Sequence, residues 1–403
     1  MKETKFKDTE IGLIPEVWEI NNLGKAFDFL PNNTLSRDAL SQSGEIKSIH
    51  YGDILTKYGA HVDVNKDTIP AISNPNYCAT TVAHDGDIMI ADTAEDETVG
   101  KAVEVINVGT SYVVAGLHTI WLHPKNCESF YVGYLGYGFN ATIYHKQLFP
   151  LMQGTKVTSI SRSAIKKTFI LTPPIAEQRK IFSALTSVDD LISALDKLIE
   201  KKKNIKQGSM QLLLTGKKRL KGFTDPWVEK KMGSIEIQNG AMLNSTEYKA
   251  GNIPVIAGGK QPAGYHSSSN RLANTITISA SGANAGYISF YKGPIFASDC
   301  STINEQKGIS IEFLYYCLLL RQNAIYKCQT GGAQPHIHAK DIKDIGFAMP
   351  SDISEQKRIA SIIESMDDEI SSLETKKAKY EQVKQGMMQQ LLTGKIRLIE
   401  EPA

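Results

Sequence analysis

One stretch of this 403-residue chain occurs twice, and no other feature constrains its fold as tightly. Glu177 to Leu220 returns as Glu355 to Leu398, 178 positions later and without a gap, with 23 identities over 44 positions. The shared residues include Asp189-Asp190 with Asp367-Asp368, Lys206-Gln207-Gly208 with Lys384-Gln385-Gly386, and the two Leu-Leu-Thr-Gly-Lys runs at 213–217 and 391–395. Each copy spaces apolar residues in steps of four and three. The first has Ile181, Leu185, Val188, Ile192, Leu195 and Ile199; the second has Ile359, Ile363, Met366, Ile370 and Leu373. That 3.5-residue period is a coiled-coil seam and predicts two long helices that pair with each other. A helix from Ala176 to about Leu214 would run roughly 58 Å. Pro173-Pro174 closes extended chain before it, and Thr215-Gly216 supplies a stop.

The segments ahead of each copy have diverged. Trp18 and Gly24 open the first much as Trp227 and Gly233 open the second. From Trp18 to Glu177 is 159 residues and from Trp227 to Glu355 is 128, so the first segment is 31 residues longer. Both are rich in Gly, Ser, Thr, Asn and β-branched residues, as in Ala273 to Phe296, which predicts short strands between tight turns. A few helices are mixed in, such as Ile311 to Gln322. The expected fold is α/β: two sheet-rich modules separated by two long antiparallel coiled-coil helices, an internal pseudo-two-fold repeat. The expected divisions are 1–173 and 223–350 for the modules, and 174–222 and 351–403 for the spacer helices.

Catalytic signatures are weak. Asn74-Pro75-Asn76-Tyr77 departs at its third position from the N-P-P-Y tetrapeptide of adenine methyltransferases, and no glycine-rich cofactor turn accompanies it. Thr215-Gly216-Lys217-Lys218 lacks the earlier glycine and the hydroxyl of a phosphate-binding loop. His336 and His338 have a chelating spacing, but nothing nearby completes a ligand set, so a polar loop is expected and no metal. Five cysteines without a C-x-x-C pair read as reduced thiols. The N-terminus lacks an apolar core and no apolar run approaches a membrane span, so a soluble, cytoplasmic protein without membrane contact is expected.

The W-x5-G module openings, the EQ[RK][KR]I and KQG-x-MQ-x-LLTGK segments, and the variable–constant–variable–constant layout resemble the specificity subunits of type I restriction–modification systems. The resemblance covers essentially the whole chain. It implies that each module is a target recognition domain reading half of a bipartite double-stranded DNA site, with the helices as a ruler between half-sites. It further implies that the helices dock two modification subunits, which bind S-adenosylmethionine and methylate adenine N6. Restriction subunits would add ATP- and Mg-dependent translocation and cleavage in bacterial defence. The chain itself would bind no cofactor and catalyse nothing. The alternatives are a tandem protein-interaction scaffold without DNA specificity, and a fused methyltransferase.

Net charge is −4 for residues 1–176, +6 for 177–222, +1 for 223–354 and −1 for 355–403. Bulk charge, which dominates nonspecific DNA affinity, cannot hold the first module on a duplex, so tight binding is expected to need the partner subunits. Base readers are sought among polar loop residues. Gly154–Ser163 aligns without a gap to Gly332–Asp341, setting Lys156 opposite Gln334 and Arg162 opposite Lys340. The expected DNA contacts are Lys156, Ser159, Ser161 and Arg162 in the first module. In the second they are Gln334, His336, His338 and Lys340, with Lys260, Tyr265, His266 and Arg271 from a glycine-rich stretch.

Overall fold

The 44-residue repeat folds as two helices of identical length, Ile175–Leu213 and Ile353–Leu391, 39 residues each and 178 positions apart. They stop alike. Gly216 and Gly394 adopt left-handed φ of +70° and +68°, and the amides of Lys218 and Ile396 reach back to the carbonyls of Leu212 and Gln390. Such a bond reaching back past a left-handed glycine satisfies carbonyls the helix end leaves open. The computed structural model describes residues 5–74, 76–154 and 156–399; Pro75 of the Asn-Pro-Asn-Tyr turn lies outside them.

Two compact units emerge, and they do not follow consecutive segments. One comprises Met1–Ala194 with Lys377–Ala403, the other Leu195–Lys376. Each unit therefore holds one module, part of the first long helix and part of the second. In the first unit, pairs Glu177–Arg397 and Asp189–Lys384 show that the two helical segments run antiparallel. In the second unit, Lys203–Glu374 and Lys206–Asp367 show the same.

The first module is built on a five-stranded sheet in the order Phe27–Leu30, Thr119–Pro124, Ile88–Ala91, Ala102–Ile106, His61–Asp63. A four-stranded sheet adds Tyr112–Ala115 parallel to Ile46–Ile49. The second module has a four-stranded sheet centred on Cys300–Ile303 and Thr275–Ser279, and a three-stranded one in which Ile253–Ile256 runs parallel to Phe296–Ala297. Each module is closed by an antiparallel pair joining its entry and exit: Glu19–Asn22 with Phe169–Thr172, and Trp227–Lys231 with Gly346–Pro350.

The coiled-coil stripe divides its work. Ile181, Leu185, Ile359 and Ile363 are fully buried, but within the cores of the modules rather than in an interhelical seam alone. Leu195, Ile199 and Ile370 are also buried, whereas Val188, Ile192, Met366 and Leu373 are half-buried. A helix whose first turns carry apolar residues at three- and four-residue spacing can bury that face against a sheet as readily as against a helix.

Polar clamps fasten the helices to the modules, and they repeat. Glu177, 3% exposed, accepts from Arg397 Nε and Nη2, both at 2.6 Å. Glu355, at 0%, accepts from the equivalent Arg219 at 2.8 and 2.7 Å. Gln178 and Gln356, both fully buried, accept from the amides of Tyr131 and Ser310 and donate to Pro173 and Pro350. Tyr137 donates to Asp189 at 2.7 Å and Tyr316 to Asp367 at 3.1 Å, with Lys384 and Lys206 on the same carboxylates and over the same rings. Burial raises both phenols above the ordinary tyrosine range, so they remain donors.

Candidate nucleic-acid interface

In each module the last loop before the long helix folds back onto the end of the central sheet. In the first, the amide of Ser159 bonds to Gln153, Ser159 bridges to Thr93, and the amide of Ile160 bonds to the carbonyl of Asp92 at 2.8 Å. In the second, His336 bridges to Thr330 and to Ser281, and the amide of Ile337 bonds to the carbonyl of Ala280 at 2.9 Å. Both loops turn on a left-handed glycine, Gly154 (φ +110°) and Gly331 (φ +88°), where a Cβ would meet the carbonyl oxygen of Val157 at 2.0 Å or of Gln334 at 2.7 Å. Thr155 in this loop lies outside the described residues.

These contacts correct the loop alignment. The two loops correspond at an offset of 177, not 178: Ser159 answers His336, Ile160 answers Ile337 and Ser161 answers His338. The buried anchors Ile165 and Ile342 keep the same offset. The extra residue of the second copy falls between Pro350 and Glu355, against Pro173 to Glu177. Lys156 therefore does not stand opposite Gln334, nor Arg162 opposite Lys340.

The candidates separate on inspection of their partners. Lys156, Gln334 and Lys340 are exposed. Ser159 is exposed on the two-residue strand beside Thr93, and His336 is half-buried beside Ser281. Arg162 is half-buried and donates to Asn32 Oδ1 at 2.6 Å; Asn32 in turn donates to the carbonyl of Gly116. Ser161 caps the short helix Arg162–Ile165 by accepting from the Ala164 amide, and His338 opens the equivalent turn, its amide bonded to Asp341. Tyr265 is 59% exposed, and Lys260 sits over the ring of Tyr287 at 5.5 Å.

Two candidates are engaged within the fold, His266 buried and Arg271 half-buried. His266 is 6% exposed, packs edge-on against Phe296 and accepts from the Lys249 amide through Nδ1 at 2.9 Å. Arg271 donates from Nε to Thr302, from Nη1 to the carbonyl of Asn270 and from Nη2 to that of Asn239. Their polar groups are spent on holding strand edges, which a glycine-rich sequence context does not reveal. Three side chains with metal-ligand chemistry, His84, Asp87 and His123, bring ligand atoms within 4.8 Å of one another. Asp87 is fully buried and accepts from Trp121 Nε1 at 2.8 Å and His123 Nδ1 at 2.6 Å, a network that pins the sheet to the preceding turn.

Two modules of this build, each closed at its neck and clamped to a pair of helices, define a protein that presents two diverged loop surfaces on a constant frame. The family model for the type I restriction modification DNA specificity domain matches residues 15–207 and again 224–385. The chain belongs to this family and is a type I specificity subunit with two such domains in tandem. It is 26% identical over 428 residues to a Methanocaldococcus jannaschii protein named as the MjaX specificity subunit of a type I restriction enzyme, covering 98% of each chain. A second relative from that organism, the type I restriction enzyme MjaVIII specificity subunit, is 23% identical over 435 residues, covering 98% of this chain and 97% of the other. The fold is that of the S subunit of a type I restriction–modification system from M. genitalium, with a TM-score of 0.63 at 16% identity over 93% of this chain and 96% of that one. A structure described for complex assembly and conformational transition of the type I system gives 0.58 at 16% identity, over 95% and 99%. Among the described residues no helix is long and apolar enough to cross a membrane.

Proposed function

We propose that this DNA-recognition subunit reads a bipartite double-stranded site, one module per half-site, and brings adenine-N6 methylation to it through partner subunits. In this reading 1–173 and 223–350 are the target recognition domains, and 174–222 and 351–403 the spacer and docking segments. The observation that carries it is the pair of loop–sheet junctions. Their backbone bonds repeat, their side chains differ, and each rides on a module fastened to the long helices by the same Glu–Arg and Asp–Lys–Tyr clamps. Such a body holds two different readers on one invariant frame.

The chain supplies address, and the partners supply reaction. S-adenosylmethionine would sit on two modification subunits, and ATP with Mg on restriction subunits. On the first long helix Leu198, Ile205 and Leu212 recur every seven residues and stay 38%, 46% and 43% exposed, an apolar stripe suited to a partner helix. The first module's net −4 makes tight DNA binding dependent on those partners wrapping the duplex. The test is a long-read map of N6-methyladenine in cells with the chain and its methyltransferase, against cells lacking only the chain. A two-part motif that vanishes without the chain supports the reading. An unchanged map, with the methyltransferase active and the complex assembled, overturns it in favour of a scaffold.

A further inference from the structure

The sheet end onto which each loop folds carries a second set of side chains outside the loops themselves. In the first module the amide of Asp92, just past Ile88–Ala91, bonds to the carbonyl of His118, just before Thr119–Pro124, at 3.0 Å. In the second the amide of Ala280 bonds to the carbonyl of Asp299 at 3.2 Å in the same place between strands. The flanking parallel strands also match: the amide of Gly116 bonds to Ile49 and that of Ser298 to Ile256. Two residues separate Gly116 from Thr119, whereas one separates Ser298 from Cys300. The first module takes up its extra residue by placing His118 at φ +53°, a left-handed conformation in which non-glycine residues are uncommon.

On this common frame a hydroxyl, Thr93 or Ser281, is kept beside the carboxylate, while the carboxylate moves to the other strand and its other neighbours change. His118, 47% exposed, bonds through Nδ1 to Asp92 Oδ1 at 3.1 Å, and Thr93 Oγ1 donates to the same oxygen at 2.8 Å. Tyr51 stands edge-on to the His118 ring at 5.3 Å. In the second module the carboxylate belongs to Asp299 and accepts from Ser281 Oγ. Gly258 takes the place of Tyr51: a Cβ there would meet the carbonyl of Ser281 at 2.6 Å. The neighbouring core stays the same, isoleucine answering isoleucine at 49 and 256, 160 and 337, and 165 and 342. A surface whose backbone is held and whose hydrogen-bonding edges are exchanged is what discrimination between base sequences requires.

Resting on the reading of the chain as a two-part DNA reader, we propose that these junctions are base-reading positions. His118 with Asp92 sets specificity in the first module, and Asp299 with Ser281 in the second. A carboxylate at the groove accepts from the exocyclic amine of cytosine or adenine. An imidazole or hydroxyl can donate to a purine acceptor edge. The polar partners now on these groups hold the edges in place before DNA arrives.

The test measures adenine methylation across a randomised site library by the assembled complex of the full chain with its methyltransferase. The variants are His118→Gly, which suits the left-handed backbone, and Asp299→Asn, which keeps shape. His118→Gly is expected to change base preference about tenfold or more at a position of one half-site, with the other half unchanged, and Asp299→Asn to do the reverse. A uniform fall in methylation with base preferences unchanged in both variants overturns the assignment, because a purely structural role does only that. A wild-type complex showing no two-part preference overturns the underlying reading instead.

Discussion

The two modules attach to their helices almost identically and build their interiors differently. The first has a second apolar core, including Ile54, Tyr58, Val62, Val103 and Trp121, on the far side of its main sheet. In the second module the corresponding cluster is Ile256, Ile295, Ala297 and Cys300. The longer first module thus has the larger second core. The helix that carries the clamp tyrosine is also started differently. Tyr134–Phe139 is preceded by Gly133, and its amides at Gly133 and Gly136 are met at 2.5 and 2.7 Å by the fully buried carboxylate of Glu104. Ile311–Leu320 is capped by the hydroxyl of Ser310. What stays constant is the attachment; how a module reaches it is free to vary.

The largest expected effects break the attachments themselves. Trp18 Nε1 donates to Glu177 at 2.9 Å, and Arg397 holds both its oxygens. Replacing Glu177 by Ala strands a buried guanidinium and an indole donor, at a cost of about 3–5 kcal/mol. Glu355→Ala should cost less, since Arg219 is more exposed and, among the described residues, Trp227 Nε1 has no hydrogen-bond acceptor. Thermal unfolding of both variants, with hydrogen exchange to assign the loss to a unit, checks the order. Equal losses would mean that the extra indole bond contributes nothing.

Next comes a difference in pH response. Burial pushes the Glu104 carboxyl from an ordinary 4.5 up to about 8, against the backbone amides that favour its charged form. Between those values the folded module keeps a proton that the unfolded chain has released. Its stability should therefore fall as pH rises from about 4.5 to 8 and level off above. Intrinsic-rate-corrected protection of the Tyr134–Phe139 amides should show that slope, and Glu104→Gln should flatten it while lowering protection at pH 5.5. The helix Ile311–Leu320, capped by a hydroxyl, should show no slope from this cause.

The smallest difference is expected where the units agree best. Tyr137→Phe and Tyr316→Phe each remove a bond to a partly exposed carboxylate, and Tyr137→Phe also removes a 3.2 Å bond with Thr186 Oγ1, at about 1 kcal/mol per bond. A gap between them well above that figure, read from paired denaturant titrations, would show that the clamps are not equivalent.

The helices were legible because a helix writes itself locally: one period, one glycine stop and one Lys-Gln-Gly signature within 40 residues. The modules were legible only as sheet-rich. Their junctions gather Tyr51, Asp92, His118 and Ser159 from four segments, and no spacing in the sequence links them. His118 gave no signal, since its left-handed φ depends on a one-residue difference between strands whose pairing is long-range. The single-residue slip in the loop alignment arose because the ungapped helix repeat was carried past Pro173 and Pro350, where the copies differ in length. His266 and Arg271 looked available because polarity is visible in a sequence and prior engagement is not.

The most direct measurement exchanges residues 223–350 for the matching module of another specificity protein and maps N6-methyladenine with the methyltransferase present. If each module reads its own half-site on a common frame, one half of the motif changes and the other half and the gap persist. Loss of both halves, or no change in either, from an assembled complex that still methylates DNA would contradict it.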